Sequence, residues 1–245
     1  ERSLSEPLAH LSQASQGQVE VASDELNYFE IQNNDLSLMV ESRTGRFEVS
    51  SLKNITEEKG SEERFGIFGR TFDTSSGRES VYFANSGFYT RTQGYLNPEF
   101  EKITEQSGPG NSRLYILEGA SSGLSFSRKI EIEDRGYSIK IEDTVKSVLD
   151  EDIAITPYVV IERDDSPVEE GGLMYTYLGP VFSSTKDTYE KYDFDDIKES
   201  SYQNKSVGGW VALIQHYFLS AWIPDQNEEY LYQGRYGDSS GRYSL

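Results

Sequence analysis

From Leu26 onward, large apolar residues recur at every second position, in short runs that stop at turn-forming residues. Tyr28, Phe29 and Ile31 lead to Asn33-Asn34-Asp35; Leu36, Leu38 and Val40 lead to Thr44-Gly45; Phe47, Val49 and Leu52 follow. In an extended chain successive side chains point to opposite faces, so this pattern makes strands with one buried face, and Asn, Asp and Gly make the turns. The middle of the chain repeats it. Leu114 and Ile116, a break at Gly119, then Leu124, Phe126, Ile130 and Ile132 precede the tight turn Asp134-Arg135-Gly136. Tyr137, Ile139, Ile141 and Val145 run on from it, and Ile153, Ile155 and Tyr158–Ile161 form a further strand. Pro157 lacks an N–H, so that strand is expected at an edge or a bulge. Thr56–Arg64 and Ser107–Ser112 read as loops.

Strand after strand with turns every ~8–12 residues implies two packed antiparallel sheets. The expected fold is all-β dominated, one domain over 24–245, with one or two short helices. The helix candidate is Gly209–Tyr217, where Trp210, Leu213, Ile214 and Tyr217 fall at i, i+3, i+4 and i+7. Phe218–Ile223 then reads as a buried strand stopped by Pro224. Residues 1–23 are rich in Ser, Gln and Glu and read as a flexible, solvated linker.

Charge narrows the partners. Asp and Glu number 42 against 23 Lys and Arg, a net charge of −19. Nucleic-acid affinity comes from cationic neutralisation of phosphates, so nucleic acid is excluded as a partner class, and an anionic bilayer surface is disfavoured. There is no cysteine, hence no disulfide, thiol nucleophile or thiolate metal site; this suits an oxidising compartment. No apolar run approaches the ~20 residues of a membrane-spanning helix.

Catalytic constellations are missing too. A Ser–His–acid triad needs a histidine base, and only His10, in the linker, and His216 exist. His216 reads as a surface residue. Neither HExxH spacing nor a P-loop or Rossmann fingerprint is present. Two acidic clusters, Asp193/Asp195/Asp196 and Glu162/Asp164/Asp165/Glu169/Glu170, lack the spacing of a calcium loop and read as solvated charge. No cofactor or metal is expected, and the chain reads as a non-enzyme.

Two segments stand apart from generic strand sequence. One runs Thr185-Lys186-Asp187-Thr188-Tyr189-Glu190-Lys191-Tyr192-Asp193-Phe194-Asp195-Asp196-Ile197. The other runs Gly208-Gly209-Trp210-Val211-Ala212-Leu213-Ile214-Gln215-His216-Tyr217-Phe218-Leu219-Ser220-Ala221-Trp222-Ile223-Pro224. In this order and spacing they resemble the YidC insertase family of Gram-negative bacteria, whose periplasmic domain carries a Y-E-K-Y-x-F-D stretch and then a G-G-W-V-A…Y-F…A-W-I-P stretch. Asn34–Val49 and Leu124–Val145 agree with it more weakly.

The resemblance implies an antiparallel β-supersandwich, similar to galactose mutarotase-like domains, lying on the periplasmic face of the inner membrane. It implies a parent embedded in that membrane, with residues 1–23 as the tether leaving a first transmembrane helix. It implies a non-catalytic role as scaffold and docking module in the insertion and folding of inner-membrane proteins. The implied partners are SecD–SecF, Sec translocon subunits and nascent inner-membrane proteins. After Pro224 the family continues with further strands and a helix, whereas Asp225–Leu245 is polar, Gly- and Tyr-rich. The domain is therefore expected to stop inside or near the end of the sandwich, with an open strand edge. The candidate partner-binding residues are Tyr189, Glu190, Lys191, Tyr192, Phe194, Asp195, Gly209 and Trp210. Their competing reading is structural, as aromatic anchors and tight-turn glycines of one corner. A second functional reading is a carbohydrate- or peptide-binding sandwich with a mutarotase-like groove. A third, a secreted carbohydrate-active enzyme, requires a carboxylate pair converging in a cleft.

Overall fold

The structure is a computed structural model describing residues 19–20, 28–57, 59–73, 78–149, 152–164, 177–215 and 217–245. In chain order the strands are β1 (Val19–Glu20), β2 (Tyr28–Gln32), β3 (Leu36–Glu41), β4 (Phe47–Thr56), β5 (Arg64–Gly66), β6 (Gly69–Asp73) and β7 (Arg78–Thr90). Then come β8 (Gly94–Leu96), β9 (Lys102–Ser107), β10 (Arg113–Ser121), β11 (Leu124–Ile132), β12 (Ile139–Ser147) and β13 (Ile155–Asp164). The last are β14 (Leu178–Ser183), β15 (Glu190–Lys191), β16 (Tyr202–Val207), β17 (Trp210–Gln215), β18 (Phe218–Trp222), β19 (Glu229–Gly237) and β20 (Arg242–Ser244). One α-helix, α1 (Phe194–Glu199), separates β15 from β16. The all-β, antiparallel expectation holds.

The strands form three sheets. The largest has eleven strands, in the order β16-β19-β20-β13-β7-β4-β3-β2, with β5 beside β4 and with β6 and β8 beside β7. A five-stranded sheet runs β1-β9-β10-β11-β12, and a four-stranded sheet runs β15-β14-β17-β18. Each smaller sheet packs on its own stretch of the large one. In the first core Ile31, Leu38, Val40, Phe47 and Phe88 of the large sheet meet Leu117, Phe126, Ile130 and Ile132 of the five-stranded sheet. In the second, Tyr82, Ile161, Tyr232 and Tyr243 meet Phe182, Val211, Leu213 and Ile197. Burying each such side chain contributes ~1.5–3 kcal/mol before the entropy of ordering it is counted. Trp222 packs against both cores. Its indole N–H donates to the Val160 carbonyl at 3.2 Å.

The turn residues join elements as well as reversing the chain. Asn33 Oδ1 accepts from the N–H groups of Asp35 and Leu36 at 2.8 and 2.7 Å, a side-chain-built turn. Asn33 Nδ2 donates to the carbonyls of Glu133 and Gly136, and the Gly136 N–H donates to Asp35 Oδ2. The β2–β3 and β11–β12 turns thus lock together across the first sandwich. Pro157 pairs with β7 on one side, while β20 reaches only Glu162–Asp164 on the other. Pro157 thus lies where β13 has a described strand partner on one side only.

Two expectations are corrected. Gly209–Tyr217 is not a helix: Trp210–Gln215 is strand β17, paired to β14 from Ser183 to Leu178. Phe218–Trp222 is a strand but is only partly buried. After Pro224, β20 lies between β19 and β13, and β19 also pairs with β16.

Candidate functional site

The two unusual segments meet at one corner of the second sandwich. Glu190 and Lys191 form β15 and pair with Phe182 and Val181 of β14. On the other side of β14, Trp210 lies opposite Ser183. The Tyr189 and Trp210 rings approach edge to face, centroids 6.2 Å apart. Tyr189 is half exposed, at 50%, and Trp210 is partly buried.

Beneath them lies an aromatic stack. Tyr202, on β16, stacks on Phe182 with centroids 3.8 Å apart and takes the Tyr192 ring on its edge at 5.2 Å. The Tyr202 hydroxyl donates to Glu190 Oε2 at 2.7 Å. Burial, and then this bond to a carboxylate, push the Tyr202 phenol up to about 12. Tyr192 donates to the Ser200 carbonyl at 3.2 Å. Lys191 places its ammonium 4.3 Å from the centre of the Tyr177 ring. Burial, helped by nearby Asp193, holds the Tyr177 phenol well above the usual range.

The glycine pair is fixed by geometry. Gly208 and Gly209 have φ of +64° and +95°, a region costly for residues with a Cβ. A Cβ on Gly209 would stand 2.2 Å from the Ser183 carbonyl oxygen. Gln226 clamps Gly209 at both ends: its Oε1 accepts from the Gly209 N–H, and its Nε2 donates to the Gly209 carbonyl, each at 3.0 Å. The Tyr232 hydroxyl donates to the Gly208 carbonyl at 2.8 Å.

Phe194 and Asp195 depart from this arrangement because they open α1. The Asp193 N–H donates to Asp196 Oδ2 at 3.2 Å, half of a capping box. Phe194 packs on Tyr243 of β20, centroids 4.3 Å apart, and Asp195 is exposed. Lys198 lies over the rings of Tyr236 and Tyr243 at 4.7 and 5.7 Å, and its bond to the Tyr243 hydroxyl raises its pKa. So Tyr189, Glu190, Lys191, Tyr192, Gly209 and Trp210 gather at one corner, while Phe194 and Asp195 sit on the adjoining helix. Sequence reasoning missed Tyr202, Phe182 and Gln226. Tyr202 had a usable signal, the alternation Tyr202-Asn204-Ser206; Gln226 had none.

The site carries little for bond-making chemistry. Among the described residues no group of three or more His, Asp or Glu is placed to hold a metal ion. Asp193 and Asp196 serve the helix cap, Asp164 accepts from the Val81 N–H at 2.8 Å, and Glu162 lies 3.8 Å from Arg242. His10, His216, Asp165, Glu169 and Glu170 lie outside the described residues. A shallow recess with no enclosed volume is lined by Phe88, Pro98, Phe100, Phe126, Ser127, Asp143 and Thr144 and touches no residue of either segment.

A family model described as the YidC periplasmic domain matches residues 29–245. The chain belongs to the YidC periplasmic domain family. It is similar to the membrane protein insertase YidC of Shewanella loihica (26% identical, 85% of this chain, 38% of the relative). It is also similar to the insertases YidC of Mannheimia succiniciproducens (29%, 81% of this chain, 37% of the relative) and Actinobacillus succinogenes (31%, 81% and 37%). The chain thus spans under two fifths of the length of these relatives. Both unusual segments, and the β19–β20 pair after them, fall inside the stretch that matches the YidC periplasmic domain.

Proposed function

We propose that this chain is the periplasmic domain of a membrane protein insertase and serves, without catalysis, as a scaffold and docking module at the periplasmic face of the inner membrane. Its partners in this reading are the periplasmic parts of SecD–SecF and the Sec translocon, and the clients of its parent are nascent inner-membrane proteins. The observation that carries the docking role is the two-layered corner. Tyr192, Tyr202 and Gly209 are locked by packing and hydrogen bonds, while Tyr189 and Lys191 are exposed beside them and Asp195 is exposed on the adjoining helix α1. A rigid base beneath exposed aromatic and charged groups is the make-up of an interface hot spot, where little entropy is lost on binding.

The test is a pull-down of the folded domain with the periplasmic domains of SecD–SecF, comparing wild type with Tyr189→Ser, Lys191→Glu and Asp195→Lys. Capture weakened about tenfold or more by these substitutions, with melting temperatures unchanged, supports the corner as the docking site. Capture unaffected by all three, or no capture of the folded wild type, overturns it.

A further inference from the structure

The hairpin made by β17 and β18 departs from the rest of the molecule. From Ser206 to Pro224 the sequence contains no Asp, Glu, Lys or Arg, in a chain where these make up 27% of residues. The hairpin closes at Gln215 and Phe218, with Tyr217 at its tip. Its inward row is accounted for: Phe218 lies 4.2 Å from the Phe65 ring, Ser220 bonds the Tyr82 hydroxyl, and Trp222 joins the two cores. Its outward side is not. An antiparallel sheet with one covered face normally turns polar residues to water. Here Leu219 is 53% exposed, Ile223 69% and Tyr217 77%, and Leu219 pairs with Ile214 of β17.

We propose that this hairpin is a bilayer-interface anchor, with Tyr217, Leu219 and Ile223 entering the headgroup and upper acyl region of an uncharged or zwitterionic membrane surface. Three observations favour lipid over a protein partner. Ile214, Leu219, Ala221 and Ile223 offer no side-chain donor or acceptor, whereas protein interfaces carry about one hydrogen bond per 100–200 Å². The exposed groups sit at the hairpin tip, in the edge strand β18 and just after it, and include a tyrosine, a residue enriched at membrane–water boundaries. The hairpin also lies in the longest stretch without charged residues of a strongly acidic chain, a part that a headgroup layer does not repel. Insertion stays shallow. Among the described residues β18 has a strand partner on one side only, and an open backbone edge needs the water that reaches the interface but not the hydrocarbon. The inference rests on the reading above, in which the domain is tethered beside a membrane, so that a weak local contact suffices.

The test is flotation of the domain with vesicles of pure phosphatidylcholine and with vesicles containing added phosphatidylglycerol, at low salt. Wild type is expected to float with phosphatidylcholine, with a blue shift of tryptophan emission, and to float less as the anionic lipid increases. The triple variant Tyr217→Ser/Leu219→Ser/Ile223→Ser, and Leu219→Ser alone as a milder change, are checked by thermal melting. A drop in partitioning of about tenfold or more in the folded triple variant supports the anchor. Failure of the folded wild type to float, or equal flotation of the triple variant, overturns it. If vesicles are not bound but SecD–SecF capture persists, the anchor fails and the docking reading stands. If the triple variant loses that capture without any vesicle binding, the hairpin is a protein-docking element instead.

Discussion

Arg128 and Asp143 face each other on neighbouring strands β11 and β12 and are joined by two hydrogen bonds, Nε to Oδ1 and Nη2 to Oδ2, each 2.8 Å. Arg128 is fully buried. Its guanidinium continues to Ser86 Oγ on β7 at 2.5 Å and to the Gly45 carbonyl at 3.3 Å, and it lies 5.4 Å from the Phe100 ring centre. One planar fork therefore ties the five-stranded sheet to the large one through the first core.

Removing the carboxylate leaves a buried cation without its partner. Asp143→Ala is expected to cost about 3 kcal/mol, because the desolvation of Arg128 is no longer offset. Urea unfolding should show a lower midpoint at unchanged slope. The double replacement Arg128→Met/Asp143→Leu is expected to cost less than the single one, since no buried charge remains. A double variant less stable than Asp143→Ala would show that the wider network, and not the pair, carries the effect.

Gly209→Ala meets both an unfavourable φ and the Ser183 carbonyl, whereas Gly94, at φ +75°, has open space around it. Gly94→Ala is expected to cost about 1–2 kcal/mol, the left-handed penalty alone. Gly209→Ala must in addition push β17 away from β14, so its melting temperature should fall further than that of Gly94→Ala. Equal shifts would mean that the corner relaxes freely.

Tyr202 makes stability pH-dependent on the alkaline side. Its folded pKa, about 12, lies above the ~10 of an unfolded phenol, so folding favours the neutral form. The contribution is whole below pH ~10 and is lost as pH rises towards ~12. Tyr202→Phe removes the bond to Glu190 and is expected to cost about 1 kcal/mol at neutral pH. It should also flatten part of the alkaline decline in a stability–pH series; an unchanged decline would place it on the other buried phenols, such as Tyr82 and Tyr177.

Tyr189 and Tyr192 separate the two layers of the corner. Tyr189→Ala is expected to leave stability within about 0.5 kcal/mol, as for an exposed residue. Tyr192→Ala should cost about 2 kcal/mol through lost packing on Tyr202 and the lost bond to Ser200. Parallel melts and pull-downs check both. A large loss of stability in Tyr189→Ala would move that residue into the structural layer.

Much of the strand grammar was legible because period two is a local property. Leu124-Phe126-Ile130-Ile132 alternates without ambiguity, and β11 buries that row. The failure at Gly209–Tyr217 has an identifiable cause. β17 carries apolar residues on both faces, Val211 and Leu213 on the one in the second core and Trp210, the fully buried Ala212 and Ile214 on the other, so the alternation vanishes and a helical spacing fits by accident. The true helix was hidden for the opposite reason. Its acidic first turn, Asp193-Phe194-Asp195-Asp196, reads as a charge cluster, although an acidic cap followed three residues later by another carboxylate is a helix start.

The sequence by itself determined the class of the fold, the positions of many turns, the lack of thiol chemistry, and the family, since all of these follow from local pattern, composition or motif order. Only the tertiary structure decided that β17 is a strand, that the residues after Pro224 join the large sheet, and that Tyr189 meets Trp210 while Phe194 turns away to Tyr243. Those outcomes depend on which strand pairs with which. That choice is made by contacts between residues far apart in the chain, and no window of neighbouring residues contains it.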